Sequence, residues 1–450
     1  MENALMADIA QHLPTDSQTI EAIYAAYKKA GDSEQPRGYL GASLIGHSCE
    51  RYLWYTFRYC YRPEFSGRMY RLFETGDFEE ARFVSDLRSI GCEVHERDEA
   101  GNQFAVSALG GHFSGHMDSG ILGVIEAPKT WHVGEFKTHN AKSFAKLKKE
   151  GVKKAKPQHY AQMMVYMGLS GMTRALYLAR NKDTDELYSE RVRFDKAEFD
   201  SLMGRAERII KATEPPARIS NRPDYYECGY CDAKEICWGS ARSALPIPAI
   251  SCRQCCHSTP TMDGEARWTC EKHARGLSVS DQSRGCDDHL VLPGLISFAE
   301  PVDYGDYCGS QCITFQNLES IEKWIHGKGN GAFGTKELMA LSRSDLTNPL
   351  VESAKELLGA TVTGASTSIL ARYPEADTRI VWRGNQKELL ANWLLVYQKD
   401  MKSETILAKE DNVINRVAEF EGGRIAIIWT TIQEPADGAW FDAEIREGVS

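Results

Sequence analysis

An aspartate, a glutamate and a lysine stand in this chain in an order that phosphodiester chemistry can use. Asp118 closes Gly115-His116-Met117-Asp118, and Glu135 and Lys137 lie in Gly134-Glu135-Phe136-Lys137-Thr138. Gln162-Met163-Met164-Val165-Tyr166 follows downstream. Cleaving a phosphodiester calls for an ion that activates water and takes up charge on the leaving oxygen. Mg²⁺ or Mn²⁺ does this through oxygen ligands while keeping several waters, so two or three carboxylates suffice. Residues two apart on a strand share a face, so Glu135 and Lys137 project together. Lys137 then sits beside the attacking water or the scissile phosphate. The Phe136 side chain turns to the core, and its carbonyl becomes one more candidate ligand.

The elements that must hold these groups are legible as periodicity. Ile20, Ile23, Tyr24 and Tyr27 fall at helical spacing over residues 17–30. Leu72, Phe73, Phe83, Leu87 and Ile90 do so over 71–90, with Gly91 closing that helix. Tyr52, Leu53, Tyr55, Phe57 and Tyr59 crowd residues 49–60 and read as core rather than as a base-stacking surface. Short strands are predicted at 94–97, 104–108, 113–118, 121–125 and 132–137, as a meandering sheet. Helices at about 141–149 and 157–168 come next. A strand pair at 175–180 and 186–194 turns around Asn181-Lys182-Asp183, and a helix from 196 to about 213 ends before Pro215-Pro216. This order makes an α/β core, a mixed sheet flanked by helices, over residues 1–245. Ala244-Leu245-Pro246-Ile247-Pro248 is a linker, 246–294 a small cysteine/histidine module, and 295–450 a C-terminal α+β domain without a nameable motif. Its Gly327-Lys328-Gly329-Asn330-Gly331 loop lacks the spacing of a phosphate-binding loop.

Asp118, then Glu135-x-Lys137, resembles the catalytic signature of the PD-(D/E)XK nuclease superfamily. Gln162-x-x-x-Tyr166 resembles the helix motif of its RecB-like and lambda-exonuclease-like branches. The resemblance implies a restriction-endonuclease-like core in which Asp118, Glu135 and the Phe136 carbonyl bind Mg²⁺ or Mn²⁺. It implies that Lys137 acts on the water or the phosphate, and that Gln162 and Tyr166 position the strand. Gly76-Asp77-Phe78-Glu79-Glu80 resembles the upstream helix motif, where RecB-like members often carry a histidine ligand four residues after the glycine. Here that position is Glu80, with Glu79 the adjoining alternative.

Thirteen cysteines fall largely in short Cys-x2-Cys loops, which in a long chain without a secretory signal read as metal sites. Cys252, Cys255, Cys270 and Cys286 make a tetrahedral zinc set, with Cys256, His273 and His289 as alternates. So small a segment would take its folding energy from the metal. Cys228-x2-Cys231-x5-Cys237, with Cys49 far upstream, resembles the iron–sulfur arrangement of AddB-like nucleases. That resemblance implies a [4Fe–4S] cluster stapling the ends of the nuclease domain. A four-cysteine zinc site at the same positions, or Cys60 or Cys92 in place of Cys49, stays open.

The net charge of −10 argues against nucleic-acid binding over the whole surface, but the charge is unevenly spread. Lys142, Lys146, Lys148, Lys149, Lys153 and Lys154 form a cationic strip between two motif segments, suited to DNA phosphates. No apolar run approaches the ~20 residues of a membrane span, and the N-terminus lacks a signal-peptide pattern, so the cytoplasm is expected, the host's if the chain is phage-encoded. No nucleotide-driven motor motif is present. The expected function is a metal-dependent DNA exonuclease acting on DNA ends or single strands, in recombination, repair or phage DNA processing. Its expected partners are DNA and a recombinase or single-strand-binding protein. A non-catalytic DNA-binding or adaptor protein on the same fold, and a structure-specific endonuclease, are the alternatives.

Overall fold

The computed structural model describes residues 17–240, 243–307, 310–329 and 331–358, and the backbone of strands at 361–363, 379–384, 401–410, 413–420, 425–432 and 440–447. The chain is a mixed α/β protein of two compact units. One holds residues 1–49, 63–211 and 262–266; the other holds 50–62, 212–261 and 267–450. The first unit therefore leaves off at Lys211 and takes in only 262–266 beyond it, and the aromatic segment 50–62 belongs to the second.

In the first unit, α1 (Gln18–Asp32) is followed by the short strand β1 (Leu40–Gly41). The helix α2 (Glu50–Phe57) belongs to the second unit; α3 (Gly67–Ser89) returns to the first. Ser66 caps α3 by accepting the Met69 N–H. Then come β2 (Glu93–His95), β3 (Ala105–Ala108), β4 (Phe113–His116), β5 (Ser119–Leu122) and β6 (His132–His139). Two helices, α4 (Ala141–Ala155) and α5 (Pro157–Ser170), lead to β7 (Arg174–Asn181), β8 (Leu187–Arg193) and α6 (Lys196–Lys211).

These strands do not form one meander. β1-β4-β3 is a separate three-stranded sheet, and β2-β5-β6-β7-β8 is the main one. The chain passes from one sheet to the other at Met117-Asp118, which puts Asp118 in a bend rather than in a ladder. β6 and β7 are parallel because the α4–α5 pair carries the chain back over the sheet. α4 runs past the predicted end because Gly151, at φ 72°, breaks it without ending it. The Val152 N–H freed by that break donates to Glu190 Oε2 at 2.8 Å.

The core lies between α3 and the main sheet. Phe83, Val84 and Leu87 of α3 meet Val94, Ile121, Phe136 and Leu176. Phe83 and Phe136 stack with ring centroids 5.3 Å apart. Because β6 alternates, burying Phe136 here forces Glu135 and Lys137 to the other face.

In the second unit, α2 buries Leu53, Trp54, Tyr55 and Phe57, as a core element should. Arg58 and Arg253 are buried against Trp268, their guanidinium carbons 5.0 and 5.2 Å from its ring. Arg253 donates to the Phe57 carbonyl at 2.7 Å and to Gln282 Oε1 at 2.6 Å, and Gln254 Nε2 donates to the Tyr59 carbonyl at 2.6 Å. Those bonds fix the Cys252–Cys255 loop. Beyond it, β9 (Ser258–Pro260), β10 (Trp268–Cys270) and β11 (Arg275–Leu277) make an antiparallel sheet. A four-stranded sheet over 299–333 and a six-stranded antiparallel sheet over 361–447 complete the unit. Among the described residues no helix is long and apolar enough to cross a membrane.

Phe136→Ala should destabilise the first unit by about 3–5 kcal/mol, the usual loss for a truncated core phenylalanine. Urea unfolding followed by circular dichroism measures this, and Phe136→Leu should recover most of the loss.

Candidate active site

Four backbone and side-chain contacts tie Asp118, Glu135 and Lys137 together. The Phe136 N–H donates to Asp118 Oδ2 at 2.9 Å, which fixes the carboxylate from the bend against β6. Lys137 Nζ lies 2.5 Å from Glu135 Oε1 and 3.8 Å from Asp118 Oδ2, and donates to the Phe136 carbonyl at 2.9 Å. The ammonium thus sits among the three oxygen groups named as candidate metal ligands. Gly134 permits the crowding, since a Cβ there would stand 2.2 Å from Ser119 Oγ.

Glu135 is completely buried. Beyond its ion pair with Lys137, neither carboxylate oxygen has a hydrogen-bond partner among the described residues. Burial pushes its carboxyl up to about 8; Lys137 pulls it down, and the Asp118 charge pushes it further up. Glu80 on α3 is held up to about 7 by burial and by the charge of Asp118. Burial opposes the charge of Lys137, but Glu135 and Asp118 outweigh it and keep the ammonium firmly protonated. Glu80 therefore lies within electrostatic reach of Asp118 and Lys137. Glu79 is paired with arginines instead: its Oε2 is 2.5 Å from Arg180 Nη1 and its Oε1 is 3.7 Å from Arg82 Nη1.

Helix α5 supplies the opposite wall. Pro157 starts it, left-handed Gly171 ends it, and residues four apart share a face. Gln162 Nε2 donates to the Tyr166 hydroxyl at 3.2 Å, and both side chains are buried. Burial, then the charge of Glu135, raises the Tyr166 phenol. Gly115 makes the room, since a Cβ there would lie 2.7 Å from the Tyr166 ring.

Sequence reasoning missed a polar cluster behind Lys137. His139 Nε2 and His159 Nδ1 each lie 2.9 Å from the Tyr177 hydroxyl, and the two imidazoles stack at 5.9 Å. Burial, and next the charges of Lys156 and Lys137 respectively, depress His139 to about 4 and His159 to about 3. The signal was available. His139 follows Lys137 by two on a strand, and His159 precedes Gln162 by three on a helix.

The buried Glu135 oxygens suit a divalent ion, because a hard cation wants oxygen donors that nothing else satisfies. Glu135, Asp118, the Phe136 carbonyl and Glu80 are the groups able to hold it, with Lys137 the present counter-charge.

The lysine strip on α4 is exposed, and part of it is already neutralised within the first unit. Lys148 pairs with Glu186, Lys146 lies 3.9 Å from Glu150, and Lys153 lies 3.8 Å from Glu198. Lys142, Lys149 and Lys154 make no ion pair among the described residues.

No disulfide joins the described cysteines of the second unit. Cys228 lies on the short helix α7 (Tyr226–Gly229), Cys237 lies on α8 (Lys234–Trp238), and Cys231 lies between them. The charges of Cys231 and Cys237 are felt by Tyr52 and Tyr55 of α2, the helix that Cys49 precedes. Cys60 is buried beside its Arg58 neighbour, and in the first unit Cys92 belongs to the α3 core. Cys252 senses both Cys286 and Cys270, and Cys255 senses Cys252 and Cys286. Cys256 Sγ donates to the Val291 carbonyl at 3.3 Å. His289 has no ring nitrogen to spare, since Nδ1 meets Thr335 Oγ1 at 2.9 Å and Nε2 meets the Ser251 carbonyl at 3.0 Å. The tight group is His273, Cys286 and Asp288, of which sequence reasoning missed Asp288.

No family model matches this chain, and no curated protein does. Among solved structures it is similar to SSO0001 over 49% of its own length and 96% of that chain, at 17% identity and a TM-score of 0.31. It is similar to LHK-Exo in complex with dAMP over 42% of its length and 90% of that chain, at 15% identity and a TM-score of 0.28. A further match is the alkaline exonuclease LHK-Exo from Laribacter hongkongensis, with the same coverage, 14% identity and a TM-score of 0.25. Likenesses this slight leave the functional reading to rest on the geometry of the site.

The depressed histidines set an acid limit on stability. Both are neutral in the fold, whereas in the unfolded chain they take up a proton near the ordinary ~6.5. The unfolded state therefore binds more protons below that value, and stability rises with pH there. The contribution is complete above ~6.5 and is lost as pH falls from there toward about 3. His159→Gln should shrink the difference in Tm between pH 7 and pH 5; an unchanged difference would show that His159 is not buried neutral.

Proposed function

We propose that this chain is a Mg²⁺- or Mn²⁺-dependent deoxyribonuclease that hydrolyses phosphodiester bonds from DNA ends or single strands. One observation carries the reading: a fully buried carboxylate, Glu135, lacks hydrogen bonds beyond a single lysine, and Asp118 and the Phe136 carbonyl share that same ammonium. A structural ion pair gains little from such burial, whereas a metal site requires it.

In the reaction water adds to phosphorus, the bond to the leaving ester oxygen breaks, and that oxygen takes up a proton. A bound divalent ion supplies Lewis acidity and a water of lowered pKa. Glu135, Asp118, Glu80 and the Phe136 carbonyl would hold it. Lys137 stays an ammonium, so it works as a fixed positive charge that orients water or steadies the phosphoryl oxygens, not as a base. Gln162 and Tyr166 position the strand against this face, and the α4 lysines without ion pairs, Lys142, Lys149 and Lys154, meet its phosphates. The wider strip, Lys146, Lys148 and Lys153 included, joins them where DNA displaces the carboxylates.

The rest of the chain is read in the same terms. Cys49, Cys228, Cys231 and Cys237 hold a [4Fe–4S] staple, and the 246–294 segment holds zinc through a set drawn from Cys252, Cys255, Cys270 and Cys286. The organisation is a RecB-like nuclease domain over 1–245, a zinc module over 246–294 and a C-terminal α+β domain. Its setting is recombination, repair or phage DNA processing, with a recombinase or single-strand-binding protein as partner.

Glu135→Ala and Lys137→Ala should each cut Mg²⁺-dependent degradation of linear DNA by at least about 10²-fold, the scale of losing one charge-stabilising group. If wild type and variants are equally inert across both metals and all DNA ends, the chain is a binding protein on a nuclease fold. A circular single strand left intact supports exonuclease action; its cleavage makes the enzyme an endonuclease. Mn²⁺ affinity, measured by calorimetry, should tighten between pH 6 and pH 8.5, because Glu80 at about 7 and Glu135 at about 8 must shed protons to bind. Anaerobically purified protein should be brown, with about four irons and about one zinc per chain; zinc alone replaces the cluster reading with a four-cysteine zinc site.

A further inference from the structure

We propose that Cys286 serves a three-ligand zinc site with His273 and Asp288, rather than closing a four-thiolate set. The inference rests on the reading that the 246–294 segment holds zinc, and changes which residues hold it.

The argument is one of spacing. Cys286 Sγ lies 3.7 Å from His273 Nε2, and His273 Nε2 lies 3.4 Å from Asp288 Oδ2. With Zn–S near 2.3 Å and Zn–N and Zn–O near 2.0 Å, the edges of a tetrahedron come to about 3.6 Å for S···N and about 3.3 Å for N···O. The observed separations match those edges. A charge-assisted imidazole–carboxylate hydrogen bond would instead close to about 2.7–2.9 Å. The atoms are spaced as ligands around a common centre, not as partners of each other.

Asp288 is set up as such a ligand. Its Oδ1 takes the Lys328 ammonium at 2.6 Å, which leaves Oδ2 for the site. That is the outer hydrogen bond that orients a monodentate carboxylate.

No fourth His, Cys, Asp or Glu among the described residues brings its ligand atom into this group. His273 and Cys286 are exposed, whereas Cys252, Cys255 and Cys270 are buried. Cys286 and Lys328 also line a cavity of about 490 Å³, together with Lys336 and the glycines at 327 and 329. Three protein ligands with an open corner is the arrangement of zinc that accepts water or a small anion, in contrast to closed structural sites.

The test uses the full chain with its iron–sulfur cluster kept, freed of zinc alone by a chelator, and titrated with Co²⁺ under anaerobic conditions, the spectra being read as differences from the Co²⁺-free protein. The charge-transfer band should carry the intensity of one thiolate. His273→Gln and Asp288→Asn should weaken Co²⁺ binding at least about tenfold, the usual effect of altering a metal's shell, and shift the visible bands. Both positions lie toward the surface, so the variants should keep the metal-free Tm of the wild type. Cys252→Ser and Cys270→Ser should leave this spectrum in place, and azide should move the visible bands. A band worth three or four thiolates that ignores His273 and Asp288, or a spectrum indifferent to azide, overturns the proposal while leaving the zinc module standing. A wild-type chain that binds neither zinc nor Co²⁺ overturns both.

Discussion

The burial of one carboxylate, Glu135, organises the first unit. A charged group removed from water is costly unless something returns the lost solvation, and here only Lys137 does so directly. The surrounding structure is arranged to hold that pair. Phe136 is locked against Phe83 on the far side of the sheet, so β6 cannot turn Glu135 out to solvent. The Phe136 N–H holds Asp118 and its carbonyl holds Lys137, so one residue's backbone fixes both neighbours of the glutamate. Two glycines remove the atoms that would prevent this crowding: Gly134 beside Ser119, and Gly115 beside Tyr166.

Burial, with the charges of Lys156 and Lys137 added to it, governs the polar cluster that lies behind that lysine. Two imidazoles near an ammonium in a buried setting stay neutral, and that constrains their hydrogen bonds. Tyr177 has one proton to give, so its hydroxyl donates to one histidine and accepts from the other. One ring must carry its proton toward Tyr177 and the other away from it. Lys156 and Ser143 continue the chain of contacts, with Lys156 Nζ at 2.6 Å from Ser143 Oγ and that hydroxyl at 3.4 Å from His139 Nδ1. The cluster backs the α4–α5 crossover against β6 and β7, so helix packing and the orientation of Lys137 are one problem.

What sequence revealed and what it did not divide along physical lines. That Glu135 and Lys137 project together was legible because a strand's period of two is rigid; Gln162 and Tyr166 came from the resemblance of their motif, and the helix brings the two side chains into contact. The residues 49–60 were legible as core from aromatic density alone, and Trp54, Tyr55 and Phe57 are buried. The break between the two sheets at Asp118 was not, because nothing in a local pattern says which neighbour a short strand will pair with. The choice between Glu79 and Glu80 depended on Arg180, a hundred residues away, taking Glu79. The acids that neutralise part of the lysine strip, Glu186 and Glu198, come from β8's approach and α6, so a count along α4 overstated its charge. Asp288 was passed over because carboxylates are common, and only its distance to His273 distinguishes it.

The charge count at the candidate site links its chemistry to its substrate. Glu80, Asp118 and Glu135, when ionised, set three negative charges against the one positive charge of Lys137. That surplus of two negative charges repels a DNA phosphate, and in a buried setting the repulsion is poorly screened. Burial first, and then the charge of Asp118, holds the carboxyls of Glu80 and Glu135 high, and their protonation relieves the repulsion in the metal-free chain. On the proposed reading, a divalent ion held there would relieve it without protons and bring the site to neutrality. Lys137 would then be free to turn from Glu135 toward a phosphoryl oxygen, because its partner would have a stronger one. The metal would be a condition for the strand to approach at all, and the α4 lysines would bring DNA near without being able to seat it. On the proposed reading, the candidate site around Glu135 offers oxygen donors, which suit a hard ion that keeps its waters, whereas the sulfur and imidazole donors of the second unit suit zinc.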